Sequence, residues 1–336
     1  MNNSIIFEEK SECGLIYLNK PKALNALDLE MTDLFYKKLN DWKNNIKIKR
    51  ILIQGNGRAF CAGGDVKSLF LSSGVSNLKK EFLFKEYKLN YLIDQFNKPY
   101  LSIWDGIVMG GGVGLSIYGN VRIATENSKF AMPETAIGFF PDVGSSYFLS
   151  RIKNNFGLYL SLTGKVISFT EMLYLELATH FCKSSNIEKL QSNYIHDGLV
   201  YPIDKINNDN SELINNKNFI EETFHGDIFN IFEKLKKSNL EFAKITYQNL
   251  LKRCPMSLAA TAELFKKAKN LTLKECLEME FQLSQKIVYR DDFNNGVESV
   301  LVMKNNNPLW KPISIEEITY EQINSLFEIH TDKLNL

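Results

Sequence analysis

Two glycine-rich turns and two carboxylates stand along this chain in an order that suits acyl chemistry. The first turn, Phe60-Cys61-Ala62-Gly63-Gly64-Asp65, follows a strand-like run. The second holds a triple glycine, Gly110, Gly111 and Gly112, where a strand should give way to a helix, and Glu134 and Asp142 follow it. A carbonyl under attack develops negative charge on its oxygen. Fixed N–H donors aimed at that oxygen lower the barrier, and removing one costs about 3 kcal/mol in well-studied enzymes. Glycine suits such a donor because no Cβ keeps the ligand away, and the start of a helix adds partial positive charge. Gly64 ends the first loop and Gly111 begins the short helix after the second, so the N–H of each is a candidate donor. Either turn alone also reads as glycines that merely permit a tight bend. Two such turns after strands, with carboxylates downstream, point to an oxyanion site with acid–base groups beside it.

The two carboxylates have ordinary readings as well. Glu134 follows Pro133 at the start of a helical turn, where its charge suits the helix dipole. Asp142 precedes VGSSYFLSRI, where it could serve as a helix N-cap. The surroundings, however, are apolar: Phe130, Ala131, Met132, Ile137, Phe139 and Phe140. Carboxyls in such company are expected to have raised pKa values, as acid–base residues need. Other chemistries fail on spacing. With Gly110 and Gly112 as the first two glycines of GxGxxG, the third position is Leu115. Gly164-Lys165 is followed by Val166, which excludes a phosphate loop, and no GxSxG nucleophile elbow occurs. Cys61 has no histidine near it in sequence and reads as a small packed residue.

The totals narrow the class. The chain has 336 residues, 44% hydrophobic and 24% charged, with 40 basic and 39 acidic side chains and a net charge of +1. That balance gives no field for nucleic acid or an anionic membrane. Five widely spaced cysteines (Cys13, Cys61, Cys182, Cys254 and Cys276) without a CxxC are expected to be reduced thiols. The four histidines lack ligand spacing, so no metal site is expected. The N-terminal run MNNSIIFEEKSECGLIYLNK has neither a signal peptide's pattern nor that of a transit peptide, and no apolar run approaches a membrane span. The expectation is a soluble cytoplasmic protein, with the mitochondrial matrix possible in a eukaryote.

These groups must be positioned by alternating strands and helices. Strands are expected at Gly14–Leu18, Arg50–Gln54, Tyr100–Trp104 and Val121–Thr125. Asp28 should cap a helix carrying Leu29, Met31, Leu34, Phe35, Leu39 and Trp42. Leu78–Phe96 reads as a helix, and a short one is expected near Val113–Tyr118. This order implies a mainly parallel sheet backed by helices. Helical patterning dominates from about 145 to 180 and again beyond 228, at Phe229–Lys236, Leu240–Leu251, Leu258–Lys269 and Leu273–Tyr289, with Pro255 just before one of these. The stretch 184–218 is polar and asparagine-rich and reads as a surface connection. We expect an α/β core over 1–190 and a mainly helical region over 191–336.

The motifs resemble those of the crotonase (enoyl-CoA hydratase/isomerase) superfamily: NKPKALNAL at 19–27, RAFCAGGDVK at 58–67 and GGGVGLS at 110–116. The closer resemblance is to its 3-hydroxyisobutyryl-CoA hydrolase branch. That branch is carried by FAMPETAIGFFPDVGSSYFLS at 130–150, LTGK at 162–165, ATHF at 178–181, MEFQLSQ at 279–285 and NNPLWKP at 306–312. The likeness runs nearly end to end and is weakest across 184–230.

The resemblance implies a spiral of ββα units with a helical C-terminal region that often mediates oligomer contacts. It implies an acyl-CoA substrate, with CoA as part of that substrate and no separate cofactor. By motif position the oxyanion donors are the N–H groups of Gly64 and Gly111, and the catalytic carboxylates are Glu134 and Asp142. Glu86, in KEYKLN, resembles a further acyl-pocket residue, although an exposed helix charge fits it equally well. The CoA adenine is expected against backbone at Ala62, Gly63, Asp65 and Val66. Lys20 and Lys22 are candidates for its phosphates, or plain solvated lysines. Hydratases of the superfamily keep a second glutamate two residues after the triple glycine, and that position is Gly114 here. The resemblance therefore implies hydrolysis. The alternatives are an enoyl-CoA hydratase or isomerase, and a non-catalytic acyl-CoA-binding protein. Two departures stand out: Ser145 and Ser146 where the branch carries more glycine, and Asn295 where it commonly has glutamate.

Overall fold

The structure, a computed structural model, describes residues 4–72, 77–200, 211–329 and 332–336. Part of the expected polar connection, residues 201–210, and His330 lie outside the described residues. Contacts gather the chain into two compact units, each drawn from three segments. The first comprises Met1–Asp65, Lys88–Ala131 and Val166–Ser211, and the second Val66–Tyr87, Met132–Lys165 and Glu212–Leu336. Both sheets lie in the first unit and the second is helical.

Strands of the first unit are β1 (Ile5–Lys10), β2 (Cys13–Leu18), β3 (Arg50–Gly55), β4 (Ala59–Cys61), β5 (Tyr100–Trp104), β6 (Ile107–Met109), β7 (Val121–Ala124), β8 (Lys129–Ala131), β9 (Ile167–Ser168) and β10 (His180–Phe181). One sheet runs β1-β2-β3-β5-β7-β10 and the other β4-β6-β8-β9. In the first sheet, β2, β3, β5, β7 and β10 are parallel, and β1 folds back antiparallel on β2 with Ile5 opposite Leu18. These parallel strands fit the alternating pattern of the sequence. The second sheet does not show in that pattern, because strands of two or three residues have no period to read. It changes where the glycine turns arise. They leave β4 and β6 of the short sheet and not the longer strands Arg50–Gly55 and Tyr100–Trp104. β4 and β6 are parallel neighbours, with Ala59 opposite Ile107 and Cys61 opposite Val108. Their C-terminal ends therefore open side by side.

Apolar burial holds this unit together. Leu15, Leu52, Leu101, Ile103 and Ile123 from the long sheet form one core with Leu190 and Tyr194 of the helix Ile187–Asp197. The helix Leu29–Asn44 buries Met31, Phe35, Leu39 and Trp42. A Cβ on Gly14 would stand 2.8 Å from the Trp42 ring, so glycine lets that indole approach β2 closely. Asp28 caps this helix as expected, its Oδ1 accepting from the Met31 N–H at 2.8 Å. The short helix at the triple glycine is Gly111–Gly114, earlier and shorter than the expected Val113–Tyr118.

In the second unit, the helix Ile228–Lys237 buries Ile228, Ile231, Phe232 and Leu235, one stripe at helical spacing. Glu241–Leu250, Pro255–Ala268 and Leu273–Ile287 follow, close to the expected ranges. Pro255 is the first residue of its helix, where its missing N–H leaves no intrahelical bond unmade. Among the described residues, no helix is long and apolar enough to cross a membrane. The cap at Asp28 gives a direct check on this reading: Asp28→Ala should lower unfolding free energy by about 1 kcal/mol in urea titration, and Asp28→Asn should recover most of it.

Candidate active site

In the first unit the two glycine turns meet. A Cβ on Gly63 would stand 3.5 Å from the Met109 carbonyl oxygen and 3.6 Å from the Gly111 nitrogen. Gly63 has φ +113, a region where side chains are strained. A Cβ on Gly112 would stand 2.4 Å from the Cys61 carbonyl oxygen, so this close approach requires glycine. Cys61 is wholly buried beneath the turn, with its thiol on the Gly63 carbonyl at 3.6 Å, a packed residue as expected. Gly64 bridges Leu27 in parallel: the Leu27 N–H donates to the Gly63 carbonyl, and the Asp65 N–H to the Leu27 carbonyl. By the alternation of a strand, the Gly64 N–H points away from that ladder. Gly111 is the first residue of its helix, and its N–H therefore has no partner within that helix. The Ala62 N–H is already used, donating to the Leu24 carbonyl at 3.0 Å. Asp65 lies 3.9 Å from the Lys20 ammonium, which is held more closely by Asp28 at 2.9 Å. Lys22 is exposed.

In the second unit four carboxyls are buried together: Glu86, Glu134, Asp142 and Glu280 are 2%, 7%, 5% and 0% exposed. Val66, also in this unit, begins the helix Val66–Leu71. Glu86 and Tyr87 sit on the helix Leu78–Asp94, and Glu134 opens the 3₁₀ turn Glu134–Ile137 after Pro133. That turn closes on Gly138 at φ +73, where a Cβ would lie 2.3 Å from the Asp292 carbonyl oxygen. Asp142 precedes the helix Ser145–Phe148 but is not its cap; Gly144 holds that position. The Asp142 side chain turns instead to Tyr87, whose hydroxyl donates to Oδ2 at 2.7 Å. Glu86 is no exposed helix charge, and one of its oxygens, like one of Glu134's, has no hydrogen-bond partner among the described residues.

None of the four forms an ion pair among the described residues. Burial therefore drives their titration upward. It pushes the Glu134 carboxyl well above the usual range, and the charge of Asp142 adds to this. Glu86 rises for the same two reasons. Burial lifts Asp142 from 3.8 to about 7, although the Tyr87 hydroxyl and its own backbone hold it down. It lifts Glu280 to about 8 against hydrogen bonds from Ser146 and Gly144. Such a group can hold and release protons near neutrality, as acid–base catalysis requires.

The sequence model of the enoyl-CoA hydratase/isomerase family matches residues 13–327. The chain is 39% identical to a 3-hydroxyisobutyryl-CoA hydrolase of Xenopus tropicalis named as mitochondrial, over 95% of this chain and 87% of the relative. It is 36% identical to the Homo sapiens enzyme of the same name, over 96% and 88%. The chain belongs to the enoyl-CoA hydratase/isomerase family. Its fold is that family's crotonase spiral with a helical C-terminal region. A carnitinyl-CoA dehydratase from Mycobacterium thermoresistibile superimposes with a TM-score of 0.93 at 32% identity, covering 99% of both chains. An enoyl-CoA hydratase from Rhodobacter sphaeroides superimposes at 0.91 and 29%, covering 96% and 97%.

Among the family positions, Gly114 is buried inside its short helix and brings no carboxylate. Asn295 donates to the Leu309 carbonyl at 2.9 Å, a structural bond. Tyr87 and Glu280 were not singled out from the sequence. Tyr87 stands next to Glu86 in KEYKLN, and Glu280 is a charge in the otherwise buried run Cys276, Leu277, Phe281 and Leu283. A carboxylate on a core stripe was the available signal. The titration of Asp142 has a measurable consequence. A carboxyl with a higher pKa folded than unfolded contributes stability that is complete below the unfolded value and lost as pH rises through the folded one. For Asp142 that window runs from 3.8 to about 7. Asp142→Asn still accepts from Tyr87 and cannot ionise. It should melt higher than wild type at pH 8, with the gain shrinking toward pH 5; a gain independent of pH would refute the burial argument.

Proposed function

We propose that this chain is an acyl-CoA thioester hydrolase that cleaves a short 3-hydroxyacyl-CoA, foremost 3-hydroxyisobutyryl-CoA, to 3-hydroxyisobutyrate and CoA in valine breakdown. The observation that carries the reading is the carboxyl set: Glu134 and Asp142 buried together, with glycine at position 114. The family resemblance puts a hydratase's second glutamate at position 114, and this chain has glycine there. Hydrolysis of a thioester needs one carboxylate to attack or to activate water, and one group to protonate the leaving thiolate. The names of the sequence relatives support the same reading.

In this proposal the Gly64 and Gly111 N–H groups polarise the thioester carbonyl. Glu134 acts either as nucleophile or as base. In the first route its carboxylate forms a C–O bond as the C–S bond breaks, and water then opens the mixed anhydride. In the second it takes a proton from water as that water attacks. Asp142, titrating at about 7, suits proton donation to the thiolate, and Glu86 faces the acyl group. Backbone at Ala62, Gly63, Asp65 and Val66 takes the CoA adenine. Exposed Lys22 is better suited to a CoA phosphate than Lys20, which is occupied by Asp28. The reaction asks for no resident cofactor. A reducing compartment, cytoplasm or mitochondrial matrix, suits five buried cysteines, and the relatives' names favour the matrix. Exposed Leu240, Ile245 and Leu251 on the C-terminal helical region fit self-association there.

A panel of short acyl-CoA thioesters assayed for free thiol tests the reading, with 3-hydroxyisobutyryl-CoA expected to be the best substrate. Glu134→Gln and Asp142→Asn should each lower kcat about a hundredfold or more; wild-type rates in both would overturn the roles. A single turnover in ¹⁸O-water separates the routes. Unlabelled product with the label in Glu134 marks the nucleophile. Labelled product means that water attacked the substrate acyl carbon, and failure of hydroxylamine to trap an acyl-Glu134 anhydride during turnover then marks the base. The solved neighbours named as hydratase and dehydratase favour a second reading, which predicts loss of crotonyl-CoA absorbance without thiol release.

A further inference from the structure

The segment that carries Asp142 is held from one side by a residue outside the proposed reaction. Val143 and Gly144, directly after Asp142, both have positive φ, +53 and +81. For a β-branched residue such as Val143 that conformation is strained and persists only when its surroundings fix it. The next element, the helix Ser145–Phe148, has no cap of its own, since Gly144 stands at its N-cap without a side chain. Glu280 reaches it from the helix Leu273–Ile287. Its Oε2 accepts from the Gly144 N–H at 2.6 Å. Its Oε1 accepts from the Ser146 N–H at 3.0 Å and from the Ser146 hydroxyl at 2.6 Å. The Glu280 carboxyl group thus caps a helix from which it is separated by more than a hundred residues, in an interior where its own exposure is 0%. On the other side of the turn, Ser145 donates to the Pro141 carbonyl, and Tyr87 holds the Asp142 carboxyl.

We propose that Glu280 is a positioning residue for the reaction: it clamps the strained turn after Asp142 and thereby fixes where the Asp142 carboxyl sits, with the Ser146 hydroxyl as the third arm of the clamp. This rests on the reading that Asp142 acts at the thioester. A clamp of this kind acts on the reacting geometry and not on substrate affinity, because a small misplacement of an acid–base group is felt in the chemical step.

Two variants test it, each followed by thiol release and by amide hydrogen exchange over residues 142–148. Glu280→Gln keeps the shape but offers one acceptor oxygen where two backbone N–H groups and a hydroxyl converge. It should lower kcat at least about tenfold with KM unchanged, and exchange at Gly144 and Ser146 should quicken. Ser146→Ala removes only the hydroxyl arm and should lower kcat by about threefold; it carries the test if Glu280→Gln does not fold. Folded Glu280→Gln with wild-type kcat, or an effect confined to KM, would overturn the proposal, as would a Ser146→Ala enzyme with unaltered kcat. Absence of thiol release in the wild type would overturn the functional reading instead, and the exchange rates would still decide whether Glu280 holds the turn.

Discussion

Burying four carboxyl groups in one helical unit, with no cation partner among the described residues, is the constraint from which the chemistry of this protein follows. An ionised carboxylate removed from water costs several kcal/mol unless it is paired or well hydrogen-bonded. Here the charge is managed by protons and by neutral donors. Asp142 takes the Tyr87 hydroxyl, and Glu280 takes two backbone N–H groups and a serine hydroxyl. Glu86 and Glu134 each keep one oxygen without a partner among the described residues. Those are the groups with most to gain from a ligand.

Such a cluster cannot hold itself together, so its framework is apolar. Phe281, next to Glu280 on its helix, meets Phe84 edge-on at 5.8 Å and Tyr87 at 6.3 Å. Phe139 stacks on Phe140 at 4.6 Å and meets Phe293 at 5.8 Å, bracing the segment between Glu134 and Asp142. The same aromatic packing that excludes water raises the carboxyl pKa values, so stability and acid–base function have one origin. The first unit works by a different device. Its glycine turns present backbone dipoles and no charge. The contact of Gly112 with Cys61 leaves no room for a side chain.

The sequence was legible where a pattern is local. Parallel strands such as Arg50–Gly55 and helices such as Ile228–Lys237 carry their period in six to ten residues. The Asp28 cap and the Gly64 and Gly111 turns are set by neighbours a few positions away. The short sheet was not legible. Strands as brief as Ile107–Met109 exist only because a parallel partner lies beside them. The same limit made Asp142 look like a helix cap and left Glu86 undecided between pocket and surface.

By itself the sequence determined the family, through long motifs at Arg58–Lys67, Gly110–Ser116 and Phe130–Ser150, and with it the residue types proposed to bind and cleave an acyl thioester. Tertiary structure decided which of those groups share one interior. It brought Tyr87 to Asp142 across 55 residues and Glu280 to Gly144 across 136. It also decided that Glu134 titrates well above the usual carboxylate range, with Asp142 at about 7 and Glu280 at about 8. The physical reason is that a side chain's pKa depends on the solvent it has lost and on the charges beside it. Both are properties of neighbours that only folding assembles.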